Sequence, residues 1–362
     1  MKSVGIIAEF NPFHYGHKHF ISEVKKLFPD CTIICVMSGN FTERGDVSVI
    51  NKWDKTRIAL KNGIDIIVEL PFFYSTQSAD YFAFASLKLL NEMGVNYIVF
   101  GSECNNINKL YECASNYIKN DKIVKNVINS NINYPKAISS LYEENIDKPN
   151  DILGICYIKE IIKNNYNIKC FTIKRTSDYN SKKLEKICSS SAIRDGLKKG
   201  IDIKSYIPYD ISLINNICLD DYFDLIKYQI VCSNNLNNIL GIDEGIENRL
   251  KKYILCSDNL NDFILKVKCK RYTYNRIKRI LVHILCQTEK DIDRTINYIR
   301  ILGFNNKGKN YLSKFKPNLK VVYGYKKNIS PLLDLELKSS CIYNYKICSN
   351  EYKVGVIKYL DK

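Results

Sequence analysis

Three of the four histidines, His14, His17 and His19, fall within a six-residue stretch. The first two close the run Gly5-Ile6-Ile7-Ala8-Glu9-Phe10-Asn11-Pro12-Phe13-His14-Tyr15-Gly16-His17. His14 and His17, three apart on a nascent helix, share one face. Gly16 between them lets a ligand approach the backbone, and a helix N-terminus favours phosphate. That combination suits binding of triphosphate oxygens and stabilisation of charge as pyrophosphate leaves. A structural metal pair and unrelated surface histidines are the other two readings. Two imidazoles at this spacing suit zinc, but no further Cys/His cluster completes a site, so no metal site is expected. His19 is read with the same stretch or as a solvent-facing residue.

Further clusters carry chemistry of their own. In Ser38–Gly45, Asn40, Thr42 and Arg44 are placed to hold a small carboxylate; a well-capped turn is the bland alternative. The serines of Ser189-Ser190-Ser191-Ala192-Ile193-Arg194 make good helix N-caps. Glu9 and Glu103 are candidates to order magnesium or a ribose. Far along the chain Lys268, Lys270, Arg271, Arg276, Lys278 and Arg279 interleave with Tyr272 and Tyr274. Cations that contact phosphates, beside tyrosines that stack on unpaired bases, are the usual means of holding single-stranded loops. The alternative is a solvated helix face whose apolar side, Ile277, Ile280, Leu281 and Ile284, packs inward. Lys307-Gly308-Lys309, Lys314 and Lys316 extend the basic surface.

The elements that must position these groups alternate. Strands are predicted at Val4–Ala8, Cys31–Met37, Ile64–Leu70, Val95–Phe100 and Ile168–Ile173, and helices at His17–Leu27, Asn51–Asn62, Ala79–Met93 and Ile152–Asn164. Glycines just past helix ends and Pro71 after a strand punctuate them. Such alternation implies an α/β fold with a doubly wound parallel sheet, in which ligands bind beyond the carboxyl ends of the strands. The polar clusters after strands one, two and four lie there. After about Pro208 long helical patterns dominate, until Ser340–Ile347 and Tyr352–Tyr359, which read as short strands. The expected division is residues 1–205, a catalytic domain, and 206–362, a mainly helical basic domain.

Composition sets the outer limits. The 362 residues are 46% hydrophobic and 25% charged, a folded chain rather than a disordered one. The net charge of +16 favours a polyanion, nucleic acid or an acidic membrane surface. The 14 cysteines form no Cys-x-x-Cys pair and read as small buried hydrophobes in a reducing compartment. No stretch approaches the ~20 apolar residues of a membrane span, so a cytoplasmic protein is expected.

The first run resembles the start of the nucleotidylyltransferase-like tRNA(Met) cytidine acetate ligases. The resemblance continues through Met37-Ser38-Gly39-Asn40-Phe41-Thr42-Glu43-Arg44-Gly45, Glu69-Leu70-Pro71-Phe72, Gln77-Ser78-Ala79, Phe100-Gly101-Ser102-Glu103, Pro149-Asn150-Asp151-Ile152-Leu153-Gly154, Ile173-Lys174-Arg175 and Ser190-Ser191-Ala192-Ile193-Arg194. It implies an enzyme that activates acetate with ATP as acetyl-adenylate. The acetyl group then passes to the exocyclic amine of the wobble cytidine of elongator methionine tRNA. His14 and His17 would be catalytic at adenylation. Ile7, Ala8, Glu9, Phe10, Asn11, Pro12, Phe13, Tyr15, Gly16, Lys18, His19 and Phe20 would wrap the nucleotide with them. Gly101, Arg175, Thr176, Ser190, Ser191 and Arg194 would complete the ATP site. The family often has two asparagines where this chain has Asn150-Asp151, and both stay candidates. The stretch Arg271–Arg279 looks like the family's tRNA-binding region. Mg2+ is expected with ATP, no protein partner is evident, and acetate and tRNA are the expected partners. An adenylyltransferase acting on a small phosphorylated metabolite needs the same ATP site without the basic half. A non-enzymatic RNA-binding protein would need neither signature intact.

Overall fold

The computed structural model describes residues 1–120, 148–175, 188–326, 328–347 and 351–360. Five strands form its parallel part: β1 (Ser3–Ala8), β2 (Thr32–Ser38), β3 (Ile66–Leu70), β4 (Tyr97–Ser102) and β5 (Lys169–Lys174). Between them run α1 (Tyr15–Leu27), α2 (Lys52–Lys61), the single turn α3 (Phe72–Ser75), α4 (Ala79–Glu92), α5 (Ile107–Lys119) and α6 (Pro149–Lys163). In space the order is β5-β4-β1-β2-β3. The chain therefore winds outward from β1 in two directions, and the topological switch lies between β1 and β4. Their carboxyl ends, Ala8 and Ser102, flank the crevice that this topology leaves for a ligand.

Every residue of β2 and β3 is buried. Alternation along the strands sends Ile33, Cys35 and Met37 to the face covered by Ile21 and Val24 of α1 and Trp53, Ile58 and Leu60 of α2. Ile34, Val36, Ile66 and Val68 go to the other face, under Phe82, Leu87 and Leu90 of α4 and Ile155 and Ile158 of α6. These unbroken apolar runs are what a sheet covered on both faces requires.

After α7 (Ser190–Lys198) come α8 (Phe223–Cys232), α9 (Ile246–Ile254), α10 (Leu260–Val267) and α11 (Tyr274–Cys286). Their buried residues, among them Ile226, Leu250, Phe263 and Leu281, belong to the same apolar cluster as one face of the sheet. The chain then returns to the sheet. β6 (Tyr298–Asn305) pairs antiparallel with β3, pairing Ile66 with Phe304 and Val68 with Ile301. α12 (Asn306–Lys314) follows, and β7 (Lys320–Val322) and β8 (Ile357–Tyr359) pair parallel with β6.

Two expectations for the tail need correction. Ser340–Ile347, read as a strand, lies in α13 (Pro331–Ile347). Its β-prone sequence yields to packing at helical spacing, with Leu332, Leu333, Glu336, Ser340 and Tyr343 all buried. Of Tyr352–Tyr359, only Ile357–Tyr359 is strand. The long strand β6 went unread because Arg300 interrupts its apolar run; that arginine is 1% exposed among carboxylates. Among the described residues no helix is long and apolar enough to cross a membrane.

Candidate active site

A cavity of about 290 Å3 opens where β1 and β4 end. Its floor is the β1–α1 corner. His14 is the N-cap of α1, and its Nδ1 accepts from Gly16 N–H at 3.0 Å. The His17 Nδ1 accepts from His14 N–H at 3.3 Å. The two imidazoles thus cap the helix reciprocally, with ring centroids 3.8 Å apart. Because each Nδ1 is an acceptor, a neutral ring carries its proton on Nε2. Burial keeps both rings neutral: it pushes His14 down to about 3, helped by the Arg175 and Arg194 charges. His17 is pushed well below its ordinary value by burial first, then by His14 and Arg175. The corner therefore offers two N–H donors at a helix N-terminus, backed by two guanidinium groups, an arrangement suited to phosphate oxygens.

Side chains from distant elements fix this corner. Arg194 on α7 donates to the Asn11 carbonyl at 2.6 Å, and Ser190 Oγ to the Pro12 carbonyl at 3.2 Å. Ser189 caps α7 by accepting from Ala192 N–H at 3.1 Å. Asn11 Oδ1 accepts from Val49 N–H at 2.9 Å. On the far wall Arg175 leaves β5 with its N–H on the Ser102 carbonyl at 3.0 Å. A side chain at Gly101 would meet Arg175 Cγ at 3.3 Å, so glycine there keeps the β4 end open.

The structure places Asn150 and Asp151 differently. Asp151 is 2% exposed and accepts from Ser102 Oγ, from Glu103 N–H at 3.0 Å and from Cys104 N–H at 3.1 Å. It ties down the turn after β4. Asn150 lines the cavity and accepts from Arg175 Nη1 at 3.4 Å. Glu103 is held by Asn150 Nδ2 and by Asp151 N–H.

The loop between β2 and α2 forms the third side, and it divides the expected residues. Thr42 and Arg44 line the cavity. Asn40 is turned away: Oδ1 accepts from Lys52 N–H at 2.9 Å and Nδ2 donates to Ser340 Oγ at 3.4 Å. Beneath it Lys52 contacts Glu69 at 2.8 Å, Glu351 at 2.7 Å and Glu336 at 3.1 Å, and Arg300 contacts Glu69 at 2.9 Å and Glu351 at 3.3 Å. This buried ion cluster joins the loop to β3, β6 and α13.

The same loop rests on α11. Gly45 has φ +70°, and any side chain there would collide with the backbone of Lys278 and Arg279. Lys278 pairs with Asp46, and Arg279 reaches the Glu43 carboxylate at 2.9 Å and its carbonyl at 3.3 Å. Two of the six cations expected on a nucleic-acid face thus brace the cavity loop. Tyr272, expected to stack on a base, is 3% exposed; its hydroxyl donates to the Asp243 carbonyl at 2.5 Å. Tyr274 is half-buried and donates to Asn261 at 3.0 Å. Lys268, Lys270 and Arg271 are exposed, Arg271 pairing with Glu244 at 2.6 Å. Arg276 is half-buried over the Tyr272 ring at 4.1 Å.

Of Ile7–Phe20, the cavity is lined by Ile7, Ala8, Glu9, Phe10, Asn11, His14, Gly16, His17, His19 and Phe20. Pro12 and Phe13 are buried below it, while Tyr15 and Lys18 face outward. His19 is half-buried rather than solvent-facing. Ser190 lines the cavity, whereas Ser191 does not and lies 2.9 Å from Ser189 Oγ. Thr176 lies outside the described residues. Sequence reading missed the apolar wall of Phe82, Phe100, Leu153 and Tyr157, and the carboxylates Glu43 and Asp46. Leu153 and Tyr157 were recoverable, because they follow Asn150 at three and seven residues on one helix face. Glu43 stood in the Met37–Gly45 stretch without a role assigned, and Asp46 gave no local signal.

A model of the HIGH nucleotidyl transferase family matches residues 1–354. The tRNA(Met) cytidine acetate ligase of Caldicellulosiruptor saccharolyticus is 37% identical over 377 residues, covering 96% of this chain and 94% of that protein. The ligase of the same name from Fusobacterium nucleatum is 38% identical over 382 residues, covering 97% and 95%. The crystal structure of apo Thermotoga maritima TmcAL superposes with a TM-score of 0.91 at 27% identity, covering all of both chains. The same protein bound with alpha-thio ATP gives 0.87, again at 27% identity and full coverage. By likeness along its whole length, the chain belongs to the tRNA(Met) cytidine acetate ligase family.

Proposed function

We propose that this protein activates acetate with ATP and acetylates the exocyclic amine of the wobble cytidine of elongator methionine tRNA. The observation that carries the reading is the convergence of His14, His17, Arg175 and Arg194 on one cavity at the switch point of the sheet. In the first step an acetate oxygen attacks the α-phosphorus, the α–β anhydride bond breaks and pyrophosphate leaves. The Nε2–H groups of His14 and His17 donate to the phosphate oxygens as charge builds on the leaving group, and Arg194 and Arg175 supply positive charge. Adenosine lies against Gly101 and the apolar wall, with Asn150 rather than Asp151 as its polar contact. Acetate sits by Thr42 and Arg44, without Asn40.

Magnesium belongs in this reading as the ion that the phosphates of ATP carry. The described residues fit a protein-held ion poorly. Glu43 and Asp46 are committed to Arg279 and Lys278, and no grouping of three or more His, Cys, Asp or Glu is disposed to hold a metal among them. The tRNA is received on the helical stretch after residue 205, where Lys268, Lys270, Arg271 and Arg276 supply the phosphate contacts. A tRNA substrate puts the enzyme in the cytoplasm.

Incubation with ATP, labelled acetate and a tRNA(Met) transcript, followed by digestion of the RNA, should yield labelled N4-acetylcytidine. Pyrophosphate release that ignores tRNA and responds to a phosphorylated metabolite instead of acetate would replace this reading with an adenylyltransferase.

A further inference from the structure

Acetyl transfer to a cytidine amine releases a proton, and the proposed reaction so far has nothing to take it. Three carboxylates line the cavity: Glu9, Glu43 and Asp46. Glu43 and Asp46 are ion-paired with Arg279 and Lys278, which holds them as counter-ions. The imidazoles of His14 and His17 have Nδ1 occupied by backbone N–H groups and present N–H, not a lone pair. Glu9 is different. It follows the last residue of β1, between the histidine corner and the Thr42–Asp46 loop. Its Oε1 accepts from Glu43 N–H at 2.7 Å and from Ser38 Oγ at 3.4 Å, while Oε2 has no hydrogen-bond partner among the described residues. Its carbonyl is held by Lys55 Nζ at 3.0 Å, which also grips the Ser38 and Gly39 carbonyls at 2.8 and 2.6 Å. The carboxylate is therefore fixed through one oxygen and through its own backbone, with the other oxygen left for a ligand.

We propose that Glu9 Oε2 is the proton acceptor of the acetyl-transfer step, a role that rests on the tRNA-acetylating reading above. The cytidine N4 lone pair forms the N–C bond to the acetyl carbon. The C–O bond to the adenylate phosphate breaks, its electron pair leaves on AMP, and the N4 proton passes to Glu9. Arg279 acts behind it as a positioning residue, since it holds Glu43, whose N–H orients the Glu9 carboxylate.

The charge of Glu9 suits the task. Burial raises it to about 7, with the Glu43 charge adding to the rise and the Glu43 N–H, Lys55 and Arg194 opposing it. The titratable groups facing it are thus Glu43 on the loop, Lys55 on α2, Arg194 on α7 and Tyr157 on α6. A base poised near the working pH transfers protons best.

The test separates the half-reactions in the full-length enzyme. Adenylation is read as acetate-dependent ATP–pyrophosphate exchange, and transfer as single-turnover acetylation of a tRNA(Met) transcript by preformed enzyme-bound acetyl-adenylate, between pH 5.5 and 9. For Glu9→Gln, which keeps an acceptor oxygen for Glu43 N–H, transfer at pH 7 should fall about 100-fold or more while exchange falls far less. The wild-type transfer rate should rise through an inflection near 7 that Glu9→Gln lacks and Glu9→Asp partly restores. Equal losses in both half-reactions, or a variant that keeps the inflection, would overturn the assignment. Melting temperatures identify a variant that has merely lost its fold, in which case Glu9→Asp decides through its pH profile. A wild-type enzyme that exchanges pyrophosphate but acetylates no RNA defeats the underlying reading instead.

Discussion

Between Asn11 and His17 the chain buries its imidazoles and strips them of charge, yet leaves them facing a cavity. Between Lys268 and Arg279 it turns two of its cations inward onto acidic partners. In the first region the low-dielectric setting pushes His14 down to about 3, and the ring serves as a neutral donor. In the second, burial lowers Lys278 and Arg279 too, but Asp46 and Glu43 pair with them and oppose it. The difference teaches that residue type announces polar chemistry, whereas the presence of a fixed counter-charge decides whether the group meets a ligand or the protein.

Breaking the first region should have the largest effect. His17→Ala removes one donor to the leaving pyrophosphate and should lower acetate-dependent exchange about 100- to 1,000-fold, with tRNA affinity in a filter-binding assay retained. Loss of RNA affinity without loss of exchange would reverse the contrast. Lys278→Met with Arg279→Met tests the other side. It leaves the half-buried Glu43 and Asp46 uncompensated, at a cost of about 1–3 kcal/mol in denaturant unfolding, and frees the loop that carries Thr42 and Arg44. The KM for acetate should rise; a change confined to tRNA affinity would return both cations to the nucleic-acid face.

A pH titration sharpens the comparison. The folded-state value of His14 lies below the ordinary 6.5, so the unfolded chain binds more protons between the two values. Its contribution to stability, present at neutral pH, is lost as pH falls below about 6.5, by about 2 kcal/mol at pH 5. His14→Gln should flatten the wild-type fall in melting temperature between pH 7 and 5; an unchanged slope would mean that burial is not what neutralises the ring. The smallest effects belong to the outward cations. Alanine at Lys268, Lys270, Arg271 or Arg276 should weaken tRNA binding modestly and lower its salt slope by about one per lost phosphate contact. A slope that does not move would show that RNA lands elsewhere.

The parallel half of the sheet was legible because its signals are local: apolar runs such as Ile33–Met37 between a proline turn and a glycine, and helices that end at glycine. The histidine corner was legible for the same reason, its partners being two and three residues away. What stayed hidden depends on sequence separation. Asn40 reads as a ligand residue until Ser340, 300 positions on, takes its amide. Arg300 breaks the apolar run of β6 in the sequence, and only Glu69 and Glu351, remote along the chain, account for its burial. The basic helix showed its charge but not its direction, which Gly45 and the carboxylates on either side of it set from more than 200 positions away. Local pattern carries secondary structure; pairing between remote polar groups has no comparable trace.

The return of the chain at Tyr298–Asn305 has a consequence for the lifetime of the enzyme in a cell. Because β6 lies against β3, the helices of residues 206–297 are sewn into the sheet at both ends. Removal of everything after residue 205 would bare the main-chain edge of Ile66–Val68 and strand Lys52 and Glu69 without Arg300, Glu336 and Glu351. An edge of that kind invites self-association rather than solubility. Loss of the chain after residue 205 should therefore abolish the fold of the remainder, and with it the consumption of ATP, instead of leaving an unsupervised fragment; a soluble 1–205 fragment would contradict this.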